Sequence, residues 1–334
     1  MSKVGFYGLE PWQKEYAEEN SDVEKEFFDE KISPEHLPNE SDVDILSIFV
    51  DSKIDGAVMD RFPNLKFIAT RSTGFDHIDL EEAERRGVKV SNVPSYGENT
   101  VAEHAFALIL SLSRKIYMAY NKIREDGDFS FDELQGFDLK GKTLGVIGTG
   151  RIGKYSIKIA KGFSMDVVAY DKFPNEEMAK ELGFEYVSLE DLAKKSDVIT
   201  IHVPYSEDTH HMVNEAFLDQ VKKGAYLINT SRGAIVDTQA LVFSLKEGRL
   251  GGAGLDVFEE EGVIKDELDF LATGKPDGHD LKTIIANHIL IDLDNVIVTP
   301  HNAFNTREAI LRILDTTLEN IKSFVEGKPQ NLVS

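Results

Sequence analysis

Val146-Ile147-Gly148-Thr149-Gly150-Arg151-Ile152-Gly153 is the stretch that decides how this chain is read. Val146-Ile147 closes an apolar run with the character of a buried strand, and Ile152 to Gly162 has the pattern of a helix. The three glycines therefore fall on a strand-to-helix turn. There the first permits a sharp bend, the second lets backbone approach a pyrophosphate, and the third packs helix against strand. The helix N-terminus adds unpaired N–H groups and a partial positive charge. A second apolar run, Val167-Val168-Ala169-Tyr170, ends at Asp171, 18 residues after Gly153. A carboxylate at that strand end can accept both ribose hydroxyls and repels a 2′-phosphate, so the pattern implies NAD rather than NADP. A glycine turn alone is common and often binds nothing; the flanking strand, the helix and the second-strand acid make this one specific.

At 334 residues the chain is long enough for two domains. Its 41% hydrophobic and 29% charged residues fit an ordinary globular protein. The formal net charge of −22 argues against nucleic acid or anionic membrane as a partner. The same charge means that an anionic substrate must be drawn by a local cation. With no cysteine, disulfides, thiolate nucleophiles and thiolate metal sites are all excluded. Met1-Ser2-Lys3-Val4-Gly5 leads straight into a strand pattern, without a signal-peptide pattern, and the longest apolar stretch, Ala105 to Leu112, is too short to span a bilayer. A cytoplasmic protein is expected.

Ahead of the glycine turn, short apolar runs alternate with polar helical stretches. Val4 to Tyr7, Ile45 to Phe49, Phe67 to Thr70 and Val88 to Val90 read as strands, with Leu80 to Arg86 as a helix. Asn99 to about Glu125 reads as one long helix that bridges two domains, and Asp128 to Lys140 as a connection. Beyond the turn, strands are expected at Asp197 to Ile201, Ala225 to Asn229, Ala253 to Val257 and Asn295 to Val298. Helices centred on Ile157, Leu192 and Leu241 lie between these strands. This is the α/β alternation of doubly wound parallel sheets. Gly262 to Asp294 is charged and weakly periodic, which predicts an irregular excursion with some helix, and Thr306 to Val325 is an amphipathic helix with Ile310, Ile313, Leu318 and Ile321 turned inward.

Three further signals lie at the ends of the later strands, where open α/β sheets bind ligands. Asn229-Thr230-Ser231-Arg232-Gly233 can present an arginine fork to a carboxylate, although taken alone such an arginine is more often a surface ion pair. Gly254-Leu255-Asp256-Val257-Phe258-Glu259-Glu260-Glu261 places one acid at a strand end and another five residues on, where both can reach a single imidazole. Thr299-Pro300-His301-Asn302-Ala303-Phe304 sets a histidine just past the last strand, as a candidate acid/base.

Taken in order, Val146 to Gly153, Asp171, His202-Val203-Pro204, Asn229 to Gly233, Gly254 to Glu261 and Thr299 to His301 make the chain resemble the D-isomer-specific 2-hydroxyacid dehydrogenases over nearly its whole length. The resemblance implies two doubly wound parallel-sheet domains, with a Rossmann NAD-binding domain (99–299) inserted into a flavodoxin-like substrate domain (1–98 and 300–334). It further implies a homodimer formed through the nucleotide domains, with the apolar face of the Asn99–Glu125 helix as contact. Within the family, the D-lactate dehydrogenase branch is the most similar. Arg71-Ser72-Thr73-Gly74-Phe75-Asp76 matches the loop whose Thr73 and Gly74 hold a substrate carboxylate; Val93 to Tyr96 matches the segment whose tyrosine lines the pocket; Phe304 matches that branch's aromatic neighbour of the histidine. Gly262 departs from the proline that much of the family carries after its catalytic glutamate.

Carried over residue by residue, the resemblance makes Arg232, Glu261 and His301 catalytic, and Thr73, Gly74, Tyr96, Arg232 and Phe304 substrate-binding. It assigns Gly148, Gly150, Arg151, Ile152, Gly153, Asp171, Val203, Pro204, Thr209, Thr230, Ser231 and Asp256 to the cofactor. The implied reaction passes hydride from NADH to a 2-oxo acid, most simply pyruvate to D-lactate. Arg232 polarises the keto oxygen, His301 protonates it, and Glu261 favours the imidazolium. Other 2-oxo acids (2-oxoisocaproate, glyoxylate, hydroxypyruvate, a phosphorylated three-carbon acid) and an NAD(H)-sensing regulatory protein are the competing readings. For a phosphate, Arg71 and nearby lysines are the remaining cationic candidates. His104 beside Glu103 reads as packed or ion-paired, His210-His211 as bordering the adenosine side, and His279 and His288 match no metal-site spacing.

Overall fold

A computed structural model describes residues 2–33, 37, 39–261 and 280–333. The chain divides into two compact units, Met1–Tyr96 with Asn305–Ser334, and Gly97–Phe304. Both are wound parallel sheets flanked by helices.

In the first unit β1 (Lys3–Tyr7), β2 (Glu24–Phe28), β3 (Ile45–Ile48), β4 (Phe67–Thr70) and β5 (Lys89–Ser91) pair in parallel in the order β2-β1-β3-β4-β5. This is the flavodoxin-like order, whose direction of winding reverses between β1 and β3. Successive side chains bury on opposite faces. Val4, Phe6, Ile45 and Phe67 pack against Leu314, Leu318 and Ile321 of the helix Arg307–Val325, while Tyr7, Leu46, Ile48 and Ile68 join Val58, Met59 and Ala83 on the other side. Sheets covered on both faces explain the near-continuous apolar runs in the sequence. The helix Leu80–Arg86 falls where the sequence places it, capped by the Asp79 carboxylate and stopped by Gly87 at φ 72°. β2 was not expected: it is an edge strand whose Glu24 and Glu26 lie along the solvent side, charges that suit an edge but hide it from a hydrophobic pattern.

The second unit carries β6 (Thr143–Ile147), β7 (Asp166–Tyr170), β8 (Glu185–Tyr186), β9 (Val198–Ile201), β10 (Ala225–Asn229), β11 (Leu250–Leu255) and β12 (Val296–Val298) in the order β12-β11-β10-β9-β6-β7-β8. The reversal lies between β6 and β9, the Rossmann arrangement, so the crevice opens at the carboxyl ends of those two strands. The helix Glu98–Ser113 belongs to this unit, burying Ala105, Phe106, Leu108 and Ile109 against Leu144, Val146 and Ile228.

The single long helix expected from Asn99 to Glu125 is two. Helix Glu98–Ser113 ends at Arg114, and Ile116–Asp126 begins after Lys115, which adopts a left-handed φ of 49°. The connection that follows returns to cap the break: the Phe137 N–H donates to the Ser113 carbonyl at 2.9 Å. A Cβ on Gly136 would stand 2.1 Å from that same oxygen, so only glycine allows the approach. β11 starts at Leu250 rather than Ala253, because pairing with β10 from Ala225↔Leu250 overrides the weak strand preference of Gly251 and Gly252. Within the stretch expected to be irregular, Leu281–Asp292 is a regular helix with Asp280 as its cap, and residues 262–279 lie outside the described ones. His301 to Phe304, expected with the first unit, belong to the second because the Asp256 carboxylate binds the N–H groups of Asn302 and Ala303.

Arg71, at the end of β4, is only 4% exposed. Its guanidinium donates to the Tyr7 carbonyl at 2.6 Å and to the Ser47 carbonyl and hydroxyl at 2.9 and 3.0 Å, lacing together the carboxyl ends of β1, β3 and β4. It is thus turned into the sheet and is not a phosphate ligand. Burial pulls it down to about 10, which still leaves it charged at neutral pH. Arg71→Met should destabilise the first unit by ~2–4 kcal/mol, because two buried carbonyls lose their donors. Urea unfolding followed through Trp12, the single tryptophan, reads this unit directly; an unchanged midpoint would show that the lacing contributes nothing.

Candidate active site

The turn after β12 is built on a buried carboxylate. Asp256, at the end of β11, is 1% exposed. Its Oδ1 accepts from the Thr299 hydroxyl at 2.5 Å and the Asn302 N–H at 2.9 Å, and its Oδ2 from the Ala303 N–H at 2.9 Å. Its own carbonyl accepts the His301 N–H at 2.8 Å. His104 Nε2 lies 3.1 Å from Thr299 Oγ1 and 3.5 Å from Asp256 Oδ1, so the residue read as packed or ion-paired braces this turn. Burial pushes the Asp256 carboxyl up, but the bonds from His104, Thr299, Ala303 and Asn302 outweigh it and hold the group below the usual carboxylate range. The turn they fix is strained: His301 has a φ of 53°, a region that non-glycine residues seldom occupy.

His301 Nδ1 lies 3.0 Å from Glu261 Oε2, and Glu261 Oε1 accepts the Phe258 N–H at 3.1 Å. With Nδ1 engaged, Nε2 is the ring nitrogen left to exchange a proton with a ligand. Of the neighbouring glutamates, Glu259 is committed elsewhere, to His211 Nε2 at 2.8 Å and the Thr238 hydroxyl at 2.9 Å. His211 and the stacked His210 therefore support this loop. Asp256 reaches His301 through the backbone and not through its imidazole.

Arg232 precedes a single 3-10 turn, Gly233–Ile235. The buried Asn229 side chain donates to the Arg232 carbonyl at 2.9 Å and accepts from the Ser231 N–H at 3.0 Å, and Ser231 Oγ donates to the Val203 carbonyl. A Cβ on Gly233 would stand 1.9 Å from the Phe258 carbonyl carbon. Glycine there lets the turn bearing Arg232 lie directly on the loop bearing Glu261. Arg232, Glu261 and His301 are thus gathered by three adjoining strand ends. Sequence order alone did not reveal the roles of Asn229 and Gly233, whose partners lie on other loops.

The glycine turn fits a dinucleotide. Gly148 has a φ of 93°, and a Cβ there would stand 2.8 Å from the His202–Val203 peptide; one on Gly153 would stand 2.0 Å from the Gly148 carbonyl oxygen. At Gly150, by contrast, a Cβ would meet no described residue within 4 Å, and no side chain among the described residues caps the helix Arg151–Gly162 there. Thr230 Oγ1, buried at the end of β10, has no hydrogen-bond partner among the described residues. Arg151 and Ile152 form the first helical turn, and Asp171 closes β7. Val203, Pro204 and Thr209 lie on one folded loop in which Thr209 Oγ1 donates to the Pro204 carbonyl at 2.8 Å.

In the first unit Thr73 Oγ1 donates to the Val93 carbonyl at 2.7 Å, the Asn92 amide donates to the Thr73 carbonyl at 2.7 Å, and Ser72 Oγ to the Gly74 carbonyl at 2.6 Å. The loop's acceptors are satisfied internally, whereas the Thr73 and Gly74 N–H groups donate to no atom among the described residues. Tyr96 follows on the same unit, its carbonyl bonded by Arg312. Phe304 ends the second unit.

Residues 106–303 match the family model for the NAD-binding domain of D-isomer specific 2-hydroxyacid dehydrogenases. The chain belongs to that family. It is 36% identical to the D-lactate dehydrogenase of Escherichia coli (strain K12) across 99% of this chain and all of that one. It is 40% identical to the glyoxylate reductase of Thermococcus litoralis across 88% of this chain and 84% of that protein. Among solved structures it resembles the D-lactate dehydrogenase of Aquifex aeolicus complexed with NAD and lactic acid, with a TM-score of 0.83 at 36% identity, covering 97% of this chain and 96% of that one. NAD is the family's cofactor. No group of metal-ligating side chains occurs among the described residues, and no helix among them is long and apolar enough to cross a membrane.

His202, between β9 and Val203, is structural. Its Nε2 lies 2.8 Å from Ser156 Oγ and 3.1 Å from Thr200 Oγ1. The residue is half-buried but Nδ1 is sealed from solvent, and burial pulls the imidazole down to about 3. The unfolded chain takes up a proton near 6.5 and the folded one only near 3, so this residue makes stability fall as pH drops through that window. Between pH 7 and 5 the loss should be about 1–2 kcal/mol. His202→Asn should flatten that slope in urea titrations at the two pH values; an equally steep variant would place the acid sensitivity elsewhere.

Proposed function

We propose that this dehydrogenase reduces pyruvate to D-lactate. The observation that carries the reading is the His301–Glu261 pair at 3.0 Å, on a loop that abuts the turn bearing Arg232. Arg232 binds the substrate carboxylate and polarises the keto oxygen, a task suited to a planar cationic fork. The N–H groups of Thr73 and Gly74, which donate to no described residue, are assigned to the carboxylate. Bound NADH supplies the hydride. His301 Nε2 delivers the proton to the oxygen as it gains charge, and Glu261 across the ring offsets the positive charge of the imidazolium. Gly148, Gly150, Arg151, Ile152 and Gly153 are assigned to the pyrophosphate, Asp171 to the adenosine ribose, and Val203, Pro204, Thr209, Thr230 and Ser231 to the remaining cofactor side; Asp256, buried and bonded within its own turn, serves that side by holding the turn and not as a direct ligand.

Two aromatic side chains, Tyr96 and Phe304, favour a small apolar substituent, and the inward-turned Arg71 argues against a phosphorylated acid. Similarity to the glyoxylate reductase keeps glyoxylate as the second reading. NADH oxidation should be measured with pyruvate, 2-oxobutyrate, 2-oxoisocaproate, glyoxylate, hydroxypyruvate and phosphohydroxypyruvate, with chiral analysis of the products. Highest kcat/KM on pyruvate with D-lactate as product is expected. A preference for glyoxylate or a branched acid would overturn the pyruvate assignment, and NADH binding without any turnover would favour a sensor. In the same assay Arg232→Lys should cost ~3 kcal/mol or more of transition-state stabilisation; near-full activity would refute the fork.

A homodimer is part of this reading. The helix Ile116–Asp126 buries no residue in its own unit and exposes Ile116, Tyr117, Tyr120 and Ile123. Phe129 and Phe131 follow, 83% and 86% exposed. Large exposed apolar side chains gathered in one stretch of chain favour a protein contact. The expected contact on Asn99–Glu125 thus narrows to its second half, since the first is spent on the unit's own core. Light scattering should give twice the 37.4 kDa chain mass, and Tyr120→Glu with Ile123→Glu should halve it; a monomeric unaltered chain would reject the dimer.

A further inference from the structure

Asp171 does not stand alone at the end of β7. Its Oδ2 accepts the Thr149 N–H at 2.6 Å and the Thr149 hydroxyl at 2.9 Å, and its Oδ1 accepts the Phe173 N–H at 2.8 Å. Thr149, the residue between the first two glycines of the turn, is buried, and its Oγ1 also lies 2.8 Å from the Tyr186 hydroxyl. Tyr186 sits on the edge strand β8, where its oxygen accepts the Asn175 N–H at 3.1 Å.

The direction of every proton in this chain can be assigned. A carboxylate only accepts, so the single Thr149 hydroxyl proton goes to Asp171. The bond between Thr149 and Tyr186 must then be donated by Tyr186. The Tyr186 oxygen in turn accepts the Asn175 backbone N–H. The relay runs one way, from Asn175 to Tyr186 to Thr149 to Asp171. Oδ2 has both its lone-pair sites filled from inside the protein, and Oδ1 keeps one.

We infer that Thr149 and Tyr186 are positioning residues that set NADH-over-NADPH selectivity by pinning Asp171. The inference rests on the reading of Asp171 as the ribose acceptor. A free aspartate can rotate away from a 2′-phosphate at the cost of one rotamer change, whereas this one must first break two bonds to Thr149. The same pinning reduces the expected double acceptance of ribose hydroxyls to one strong bond, at Oδ1. Selectivity in this chain is then a property of rigidity as well as of charge.

The test is equilibrium binding of NADH and NADPH to the full chain without substrate, read by nucleotide fluorescence. The variants are Thr149→Val, Thr149→Ser, Tyr186→Phe and Asp171→Ala, with thermal unfolding as the fold control. Thr149→Val keeps the backbone bond and removes the hydroxyl; it and Tyr186→Phe should lower the ratio of the NADPH Kd to the NADH Kd by about three- to tenfold. Thr149→Ser should restore the ratio. A merely structural role would weaken both nucleotides alike and leave the ratio unmoved. If Asp171→Ala collapses the ratio while Thr149→Val and Tyr186→Phe keep it within twofold of the unaltered chain, the pinning is wrong and the Asp171 reading survives. If Asp171→Ala leaves the ratio unchanged, the Asp171 reading fails and the inference fails with it.

Discussion

The buried Asp256 carboxylate is the constraint on which the rest of the site depends. It replaces water with the Thr299 hydroxyl and the N–H groups of Asn302 and Ala303, while its own backbone carbonyl takes the His301 N–H. A charge this deep is tolerated only when its lone pairs are filled. The donors that fill them are the Thr299 hydroxyl and two backbone N–H groups, all on the turn that carries His301. The chain therefore cannot relax His301 out of its left-handed conformation without stranding the carboxylate. Strain at His301 and burial at Asp256 are two sides of one arrangement, and they hold Nδ1 within reach of Glu261.

A similar logic operates in the first unit with the sign reversed. Arg71 is a buried cation whose partners are carbonyls at the ends of β1 and β3. Parallel sheets leave carbonyls unpaired at the carboxyl ends of their strands, and an arginine fork there satisfies several at once. The loop that follows, Ser72 to Gly74, starts from a fixed point, and its hydroxyls and carbonyls are bonded inward. What remains exposed is a pair of N–H donors, which is what an anion requires.

Much of this was legible in the sequence wherever local chemistry determined the outcome. Gly148 and Gly153 are glycines because a Cβ would strike backbone, and that demand shows as a pattern. The strands of both sheets show as apolar runs because both faces are covered. What the sequence hid depends on distant partners. The break at Lys115 follows from Phe137 returning to cap Ser113, a contact no window of residues contains. Glu261 is named from the sequence, but the reason its neighbour Glu259 is unavailable lies on other loops, where His211 and Thr238 claim it. The edge strand β2 was lost because its charges obey edge chemistry instead of core chemistry.

The formal charge of −22 poses a problem for a protein whose cofactor and proposed substrate are both anions. Long-range attraction is unavailable, and the field of the whole chain opposes approach. Binding must come from short-range donors, which salt screens far less than it screens the global repulsion. The structure provides these as backbone: a helix N-terminus at Gly150 and two N–H groups, at Thr73 and Gly74, none of them bonded by a side chain or acceptor among the described residues. Arg232 adds the one cation the proposed chemistry needs. Directional donors discriminate by geometry where a diffuse positive surface would accept any anion. An acidic exterior with preorganised internal donors thus favours selectivity, at the expense of association rate.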